Sequence, residues 1–186
     1  IKCSPMFTMW TDVAGANEHL PMNCVNWYTA FAFCAWDGGR LPTEAEWNYA
    51  AAGGSEQREY PWSIPPNSTM IDGSYAVWSC LGDGSLPTAC ALTDILKVGS
   101  KSPKGDGKWA QADLSGGMWE WTLDWRVVPY ANPCNDCANI GQGTVRSIRS
   151  GGWADVDAIV QRTTNRNFKA PELQGDHNGF RCARNP

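Results

Sequence analysis

The chain has 186 residues, of which 42% are hydrophobic, and its formal net charge is −4. This length fits one domain of ordinary size, and the hydrophobic fraction suffices for a core. The sequence contains no run of basic residues, which argues against a nucleic-acid partner. No apolar stretch reaches the roughly 20 residues that a membrane-spanning helix needs. We therefore treat residues 1–186 as a single globular domain.

The eight cysteines are even in number and are spread along the chain instead of forming two paired knuckles. Zinc sites favour two CxxC pairs, and only Cys134 and Cys137 have that spacing. Disulfides are therefore favoured over reduced thiols, and they indicate an extracytoplasmic protein that is secreted, periplasmic or displayed at the cell surface. The sequence opens without Met and without a charged-then-apolar leader, so we expect a processed or truncated protein.

The first predicted elements are two helices. A helix is predicted over residues 26–37, because Asn26 can cap it and apolar side chains recur at helical spacing until two glycines end it. A second helix is predicted over residues 43–52, where Thr43 can cap the first amides and Glu46 can return the bond in a capping box.

From residue 60 to residue 108 the sequence is punctuated by Pro, Gly, Asp and Ser and shows no sustained period. Such long irregular stretches are uncommon inside a compact domain and are usually functional or cross-linked. Short strands are predicted at residues 118–123, 145–149, 159–164 and 179–183. The predicted fold class is therefore α+β, with two helices, a small antiparallel sheet and long loops.

Four sequence blocks follow one another in a fixed order. They are GGRLPTEAEW at 38–47, LSGGMWEW at 114–121, IRSGGW at 148–153 and NGFRC at 178–182. Together they resemble the formylglycine-generating-enzyme (sulfatase-modifying factor) family. The resemblance implies a variant of the C-type-lectin fold over residues 21–184. The strand-rich N-terminal part of that family's domain is expected to be missing or reduced to residues 1–20.

The resemblance implies one disulfide, because the cysteines of the family's enzymes that match Cys34 and Cys182 are paired. Around the CxxC sequence at residues 134–137, proline and polar residues favour a structural, loop-closing bond over reactive thiols. A further pair could close the irregular stretch. We therefore expect four disulfides: Cys34–Cys182, Cys80–Cys90, Cys134–Cys137 and, by elimination, Cys3–Cys24.

The enzymes that give the family its name oxidise a cysteine of client sulfatases, using copper that two active-site cysteines hold between the last two blocks. In this chain residues 153–181 contain no cysteine, and copper(I) requires soft thiolate ligands. We therefore expect neither copper nor a catalytic residue of that type. The family's iron-dependent relatives, which form carbon–sulfur bonds, need a histidine cluster, and this chain has only His19 and His177.

The resemblance also implies a structural calcium site in the block at residues 113–120, where oxygen ligands suit calcium. Carried over by position, the ligands are the side chains of Asp113 and Glu120 and the main-chain carbonyls of Gly116 and Met118. The alternative is that Glu120 pairs with an arginine in the core. A second calcium loop of the family would lie at residues 75–94, where Val77 replaces an asparagine ligand, so its survival stays open.

Residues 153–177 occupy the place where the family's enzymes keep their active cleft, and loops of a rigid scaffold commonly carry function. This segment carries polar side chains suited to a protein, peptide or glycan ligand: Trp153, Asp155, Asp157, Gln161, Asn165, Asn167, Lys169, Glu172 and His177. Arg162 and Arg166 are expected instead to brace the core against carboxylates.

The leading functional hypothesis is a non-catalytic extracytoplasmic binding module on a disulfide-stapled, calcium-binding scaffold. Three alternatives stay open. The chain could be a structural or assembly subunit of a bacterial surface apparatus, or an enzyme of the family with unrecognised chemistry. It could also be a variable receptor of a diversity-generating retroelement, since some of those receptors share the fold and vary near the C-terminus.

Overall fold

The computed structural model describes Cys3 and residues 7–84, 90–130 and 132–184. Within them the chain forms helix α1 (Trp27–Trp36), helix α2 (Glu44–Ala51) and four strands: β1 (Trp119–Trp125), β2 (Arg146–Arg149), β3 (Asn167–Lys169) and β4 (Asn178–Phe180). Short 3-10 helices lie at Gly54–Glu56, Leu92–Asp94 and Ala158–Gln161. Long irregular segments connect these elements. The architecture is the α+β class that the sequence predicts.

Local hydrogen bonds start both helices where the sequence predicts. The side chain of Asn26 accepts from the Thr29 amide at 2.9 Å. In the capping box, Thr43 accepts from the Glu46 amide at 3.1 Å, and the Glu46 carboxylate accepts from the Thr43 amide at 2.8 Å. Helix α1 has 10 residues and α2 has 8. In the described part of the chain, no helix is long and apolar enough to cross a membrane.

The sheet has the strand order β3-β2-β1-β4 and is mixed. Strand β2 pairs antiparallel with both β1 and β3. Strand β4, by contrast, runs parallel to β1, with Trp119 opposite Asn178 and Trp121 opposite Phe180. The Trp119 amide donates to the His177 carbonyl at 2.7 Å, so the chain enters β4 at the same end as it enters β1. The sheet, predicted as antiparallel, is therefore mixed, because its β4 edge is parallel.

The predicted strand at residues 159–164 is also wrong. The Asp157 side chain accepts a hydrogen bond from the Ile159 amide at 3.0 Å and starts the 3-10 helix Ala158–Gln161 in its place. A short polar side chain that caps its neighbours in this way competes with strand formation. Strand β3, three residues long, follows shortly afterwards and was not predicted.

The main core lies between α1 and the sheet. Trp27, Ala30 and Cys34 on one face of α1 pack against a cluster that includes Trp121 and Ile148. The structure joins all eight cysteines in the four predicted pairs, Cys3–Cys24, Cys34–Cys182, Cys80–Cys90 and Cys134–Cys137. The bond from α1 to the segment after β4 spans 148 residues. By the chain-entropy model, a closure of this length contributes on the order of 4–5 kcal/mol.

A buried ion cluster joins α2 to the sheet. The Glu44 side chain at the start of α2 is 3% exposed. Arg166 binds its carboxylate through two hydrogen bonds, from Nε to Oε1 at 2.7 Å and from Nη2 to Oε2 at 2.6 Å. Arg149 of β2 donates from Nη1 to Oε1 at 3.2 Å, and the Ser147 hydroxyl donates to Oε2 at 2.8 Å. The Arg149 side chain has no solvent exposure, so Glu44 supplies its counter-charge.

The arginines keep Glu44 ionised. Burial alone would raise the pKa of the Glu44 carboxyl, but the hydrogen bond from Arg166 and the charge of Arg149 hold it below its ordinary value. Because the folded-state pKa lies below the unfolded-state pKa of about 4.3, ionised Glu44 stabilises the fold above that pH. This contribution is lost as the pH falls through the folded-state value.

We predict that Glu44→Gln lowers the free energy of unfolding by about 3–5 kcal/mol at pH 7, because it leaves two arginines without their counter-charge. Urea denaturation measures the loss. The matched control is Glu46→Gln in the same helix, where the Arg40 pair is about one-third exposed. Its expected cost is about 1 kcal/mol or less. The gap between Glu44→Gln and the wild type should narrow below about pH 4.3. Equal losses of unfolding free energy for the two variants would show that the buried cluster stabilises the fold no more than the partly exposed Arg40–Glu46 pair does.

Candidate functional site

The segment from residue 153 to residue 177 starts at a turn that fixes Trp153 inside the protein. Gly151, with φ +88°, makes this turn after β2. The Trp153 amide donates to the Gly117 carbonyl at 2.7 Å, and its carbonyl accepts from the Cys80 amide at 3.0 Å. The Trp153 ring stacks on His177, with centroids 5.3 Å apart, and the residue is 2% exposed. The prediction that Trp153 lies on the ligand surface is therefore wrong; it supports that surface from below.

Gln161 is a second predicted surface residue that the structure buries. It is 1% exposed, and its main-chain carbonyl accepts from the Ser115 hydroxyl at 2.7 Å. Asn165 is half-buried, and its Nδ2 donates to the Val160 carbonyl at 2.9 Å. These contacts fix the turn at residues 158–165 and leave Gln161 unable to meet a ligand directly.

The exposed part of the segment begins at Val156 and Asp157, just after the half-buried Asp155. Asp155 Oδ2 accepts from the Gly152 amide at 2.7 Å, while Asp157 caps the following 3-10 helix. Between and beside them, Val156 is 67% exposed and Ile159 is 54% exposed. Sequence analysis missed both apolar residues, because residue type alone predicts burial and Ile159 was assigned to a strand. The signal that could have found them is the acidic cap at Asp157, which favours a turn over a strand.

The other predicted surface residues lie on or after β3. Asn167 and Glu172 are exposed. Lys169 donates from Nζ to Asn178 Oδ1 at 3.1 Å, and burial lowers the pKa of its ammonium, with Asp176 partly opposing the shift. His177, on the exposed side of the Trp153 ring, has its Nε2 3.1 Å from Asp176 Oδ1. These side chains leave a polar rim around β3.

Both arginines of the segment pair with carboxylates, as the sequence predicts, but only the Arg166 pair is buried. Arg166 pairs with Glu44, and Arg162 lies 3.5 Å from Glu59, measured from Nε to Oε2. Both therefore neutralise carboxylates from outside the segment. Four carboxylates belong to the segment itself and are exposed or half-buried: Asp155, Asp157, Glu172 and Asp176. The outer face of residues 153–177 is consequently acidic, with exposed apolar side chains among the carboxylates.

The four predicted calcium ligands, Asp113, Gly116, Met118 and Glu120, line one cavity of about 250 Å³. Arg181 also lines this cavity and binds both oxygens of Glu120, with Nη2 2.6 Å from Oε1 and Nε 2.6 Å from Oε2. Trp47 Nε1 donates to Oε2 of the same carboxylate at 2.7 Å. Glu120 therefore pairs with an arginine, as the alternative interpretation of this block predicts.

The remaining oxygens of the block still fit a calcium ion in their chemistry. Asp113 Oδ2 accepts from the Gly99 amide at 2.7 Å, but Oδ1 accepts no hydrogen bond from any described residue. Burial raises the pKa of the Asp113 carboxyl, against the opposing effects of the Gly99 hydrogen bond and Arg181. The Gly116 carbonyl accepts one hydrogen bond, from Ser150 at 3.1 Å, and keeps one lone pair.

No group of three Cys, His, Asp or Glu side chains within the described ranges could hold a metal ion. A cation at this block would therefore depend on main-chain carbonyls as well as on Asp113. The possible second calcium loop at residues 75–94 includes residues 85–89, which lie outside the described residues.

Comparison with known proteins assigns the family. The family model described as "Sulfatase-modifying factor enzyme 1-like domain" matches residues 8–186, and the chain belongs to this family. The formylglycine-generating enzyme of Streptomyces coelicolor is 34% identical over 183 residues, which cover 93% of this chain and 55% of the relative. The inactive C-alpha-formylglycine-generating enzyme 2 of Bos taurus is 33% identical over 179 residues, which cover 91% and 52%. The chain thus spans about half the length of the curated relatives it matches.

Solved structures confirm the predicted C-type-lectin-like fold of the formylglycine-generating type. Treponema denticola variable protein 1 superposes with a TM-score of 0.71 and 22% identity, covering 95% of this chain and 75% of that one. PvdO from Pseudomonas aeruginosa superposes with a TM-score of 0.68 and 25% identity, covering 87% and 60%.

Proposed function

We propose that this chain is a non-catalytic, extracytoplasmic binding module of the sulfatase-modifying-factor family. One observation carries the proposal: residues 153–181 hold no cysteine, and all eight cysteines of the chain are in disulfides. Holding copper(I) by thiolates needs two cysteines that can be deprotonated. The name of the Bos taurus relative, an inactive enzyme, supports the idea that this family scaffold also serves without the oxidation.

The compartment is part of the proposal. Four disulfides in a chain of 186 residues favour an oxidising environment, because reducing compartments keep thiols free. The longest of these closures stabilises the pairing of α1 with the end of the chain. We therefore place the binding surface outside the cytoplasm.

We propose that the ligand is a peptide segment that carries basic and apolar side chains. Val156 and Ile159 are exposed apolar side chains flanked by Asp155 and Asp157. An apolar group bordered by carboxylates suits a partner whose own apolar side chain lies beside a lysine or arginine. The buried residues Trp153 and Gln161 hold this loop in place, which reduces the entropy lost on binding.

Selection from a displayed random-peptide library tests this surface. We expect peptides enriched on the wild-type protein to combine basic and apolar residues. Their affinity should fall about tenfold or more for the double variant Val156→Ser and Ile159→Ser, which removes the apolar contact. The double variant Asp155→Asn and Asp157→Asn keeps the local hydrogen-bond acceptors but removes the charge, so it should chiefly slow association at low salt.

The matched control for the selection is Ile140→Ser, which alters an exposed isoleucine outside the segment. It should leave binding unchanged. The proposed surface would be rejected by a library that yields no enriched peptide. It would equally be rejected by peptides that bind all of these variants as tightly as they bind the wild type.

We also propose that calcium binds the block at residues 113–120 as a structural ion. Asp113, with one free carboxylate oxygen, and the carbonyls of Gly116 and Met118 would hold it alongside Glu120. Calcium would supply positive charge and bind oxygens that come from the loop before β1 and from the start of that strand. Because Arg181 already neutralises Glu120, the expected binding is weaker than at a site with two uncompensated carboxylates.

Thermal denaturation with and without calcium tests the ion. A ligand that binds only the native state at about 100 times its Kd stabilises it by roughly 2.7 kcal/mol. We expect this increment in the wild type, its loss on chelation, and its absence in Asp113→Ala. The control Asp12→Ala, which removes an exposed carboxylate elsewhere, should keep it. If calcium does not change the melting temperature of the wild type, the calcium proposal is wrong. Arg181 would then be the only cation in the block.

A further inference from the structure

A cavity bordered by described residues lies away from the acidic segment. Its volume is about 650 Å³, it is open to solvent, and it is bordered by α2 and by the loop that carries the Cys134–Cys137 disulfide. None of its lining residues belongs to residues 153–177. Small-molecule sites usually measure roughly 300–1,000 Å³ and combine apolar walls with a few polar groups.

Two aromatic rings form walls of this cavity, and each has one face already covered. Tyr49 of α2 stacks on Trp109, with ring centroids 5.3 Å apart and planes 10° from parallel. Tyr130 lies under the guanidinium of Arg166, which is 3.5 Å from the ring centroid. Tyr49 nevertheless stays 61% exposed and Tyr130 41% exposed. Each ring therefore still has surface with which a ligand can stack.

The Tyr130 wall of the cavity is fixed by hydrogen bonds within the protein. The Tyr130 hydroxyl accepts from Arg149 Nη1 at 2.8 Å and lies 3.2 Å from Glu44 Oε1, to which it can donate. These contacts anchor the ring in the buried ion cluster. A rigid aromatic wall loses little entropy on binding, which favours a ligand that stacks on it.

Polar atoms around the cavity are left unpaired. Asn48 Oδ1 accepts from Arg149 at 2.6 Å, but the two Nδ2 hydrogens have no acceptor among the described residues. Gln57 Nε2 donates to the Gly54 carbonyl at 2.8 Å, while Oε1 receives no hydrogen bond there. Asp136 adds a carboxylate acceptor. The lining thus offers both donors and acceptors, and no described lining residue is cationic, which disfavours an anionic ligand.

We propose that this cavity binds a short neutral saccharide. A sugar ring has an apolar face of C–H groups, which can pack on Tyr49 or Tyr130, and a rim of hydroxyls that both donate and accept hydrogen bonds. The rim matches the free amide hydrogens of Asn48 and the acceptors on Gln57 and Asp136. This site shares no lining residue with the peptide surface at residues 155–159.

Isothermal titration with four neutral probes, maltotriose, cellotriose, chitotriose and mannotriose, tests the site. At least one should bind the full chain. Tyr49→Ala should weaken that saccharide about tenfold, because an aromatic anchor is lost. Asp136 lies on an exposed loop, and Asp136→Ala should weaken binding of that saccharide several-fold. The control is Trp36→Ala, which removes an exposed tryptophan of α1 outside the cavity and should leave affinity unchanged.

Circular dichroism of each variant separates a local effect from unfolding. The proposal is overturned if none of the four saccharides binds at millimolar concentration, or if Tyr49→Ala and Asp136→Ala both bind like the wild type. Binding of tetra-arginine at this cavity in place of every saccharide would also overturn it and would assign the two wall rings to a basic peptide.

Discussion

The buried carboxylate of Glu44 holds two arginines that come from different parts of the chain. Arg149 belongs to β2 and has no solvent exposure, and Arg166 lies just before β3. An unpaired charge in a protein interior costs several kcal/mol, so neither arginine could occupy its position without this partner. Asp124 of β1 accepts a hydrogen bond from the Glu44 amide at 2.7 Å and fixes the start of α2. One ion cluster therefore positions the second helix, the sheet and the loops on either side of them.

Local sequence signals predicted the parts of the fold that depend on few neighbours. The caps at Asn26 and Thr43 define both helices, because each capping bond forms within one turn. Strand β3 has no such signal, since Asn167 and Lys169 disfavour strands and the strand exists only by pairing with β2. The exposure of Val156, like the cavity beside α2, depends on distant segments packing together, and no local pattern encodes that.

Both proposed binding surfaces rest on the same cluster. Arg166 belongs to the segment whose outer face is acidic, and it also covers one face of Tyr130 in the wall of the saccharide cavity. The disulfides fix the scaffold around them, with Cys34–Cys182 closing the longest span and Cys134–Cys137 bordering the cavity. A stapled scaffold of this kind leaves its loops free to recognise ligands while the core stays unchanged. The same disulfides engage all eight cysteines, which is the basis for proposing that the chain has no thiolate pair for copper.

The absence of that thiolate pair gives the proposed function its sharpest test. The copper-loaded protein would be incubated under oxygen with a sulfatase-type cysteine peptide. The mass of the peptide would then be measured by mass spectrometry. Because residues 153–181 contain no cysteine to bind copper(I), we predict no formylglycine above a control with copper alone. Formylglycine accumulating above that control would contradict the account. It would point to reduced thiols elsewhere in the chain, and Cys134 and Cys137 would be the first residues to mutate.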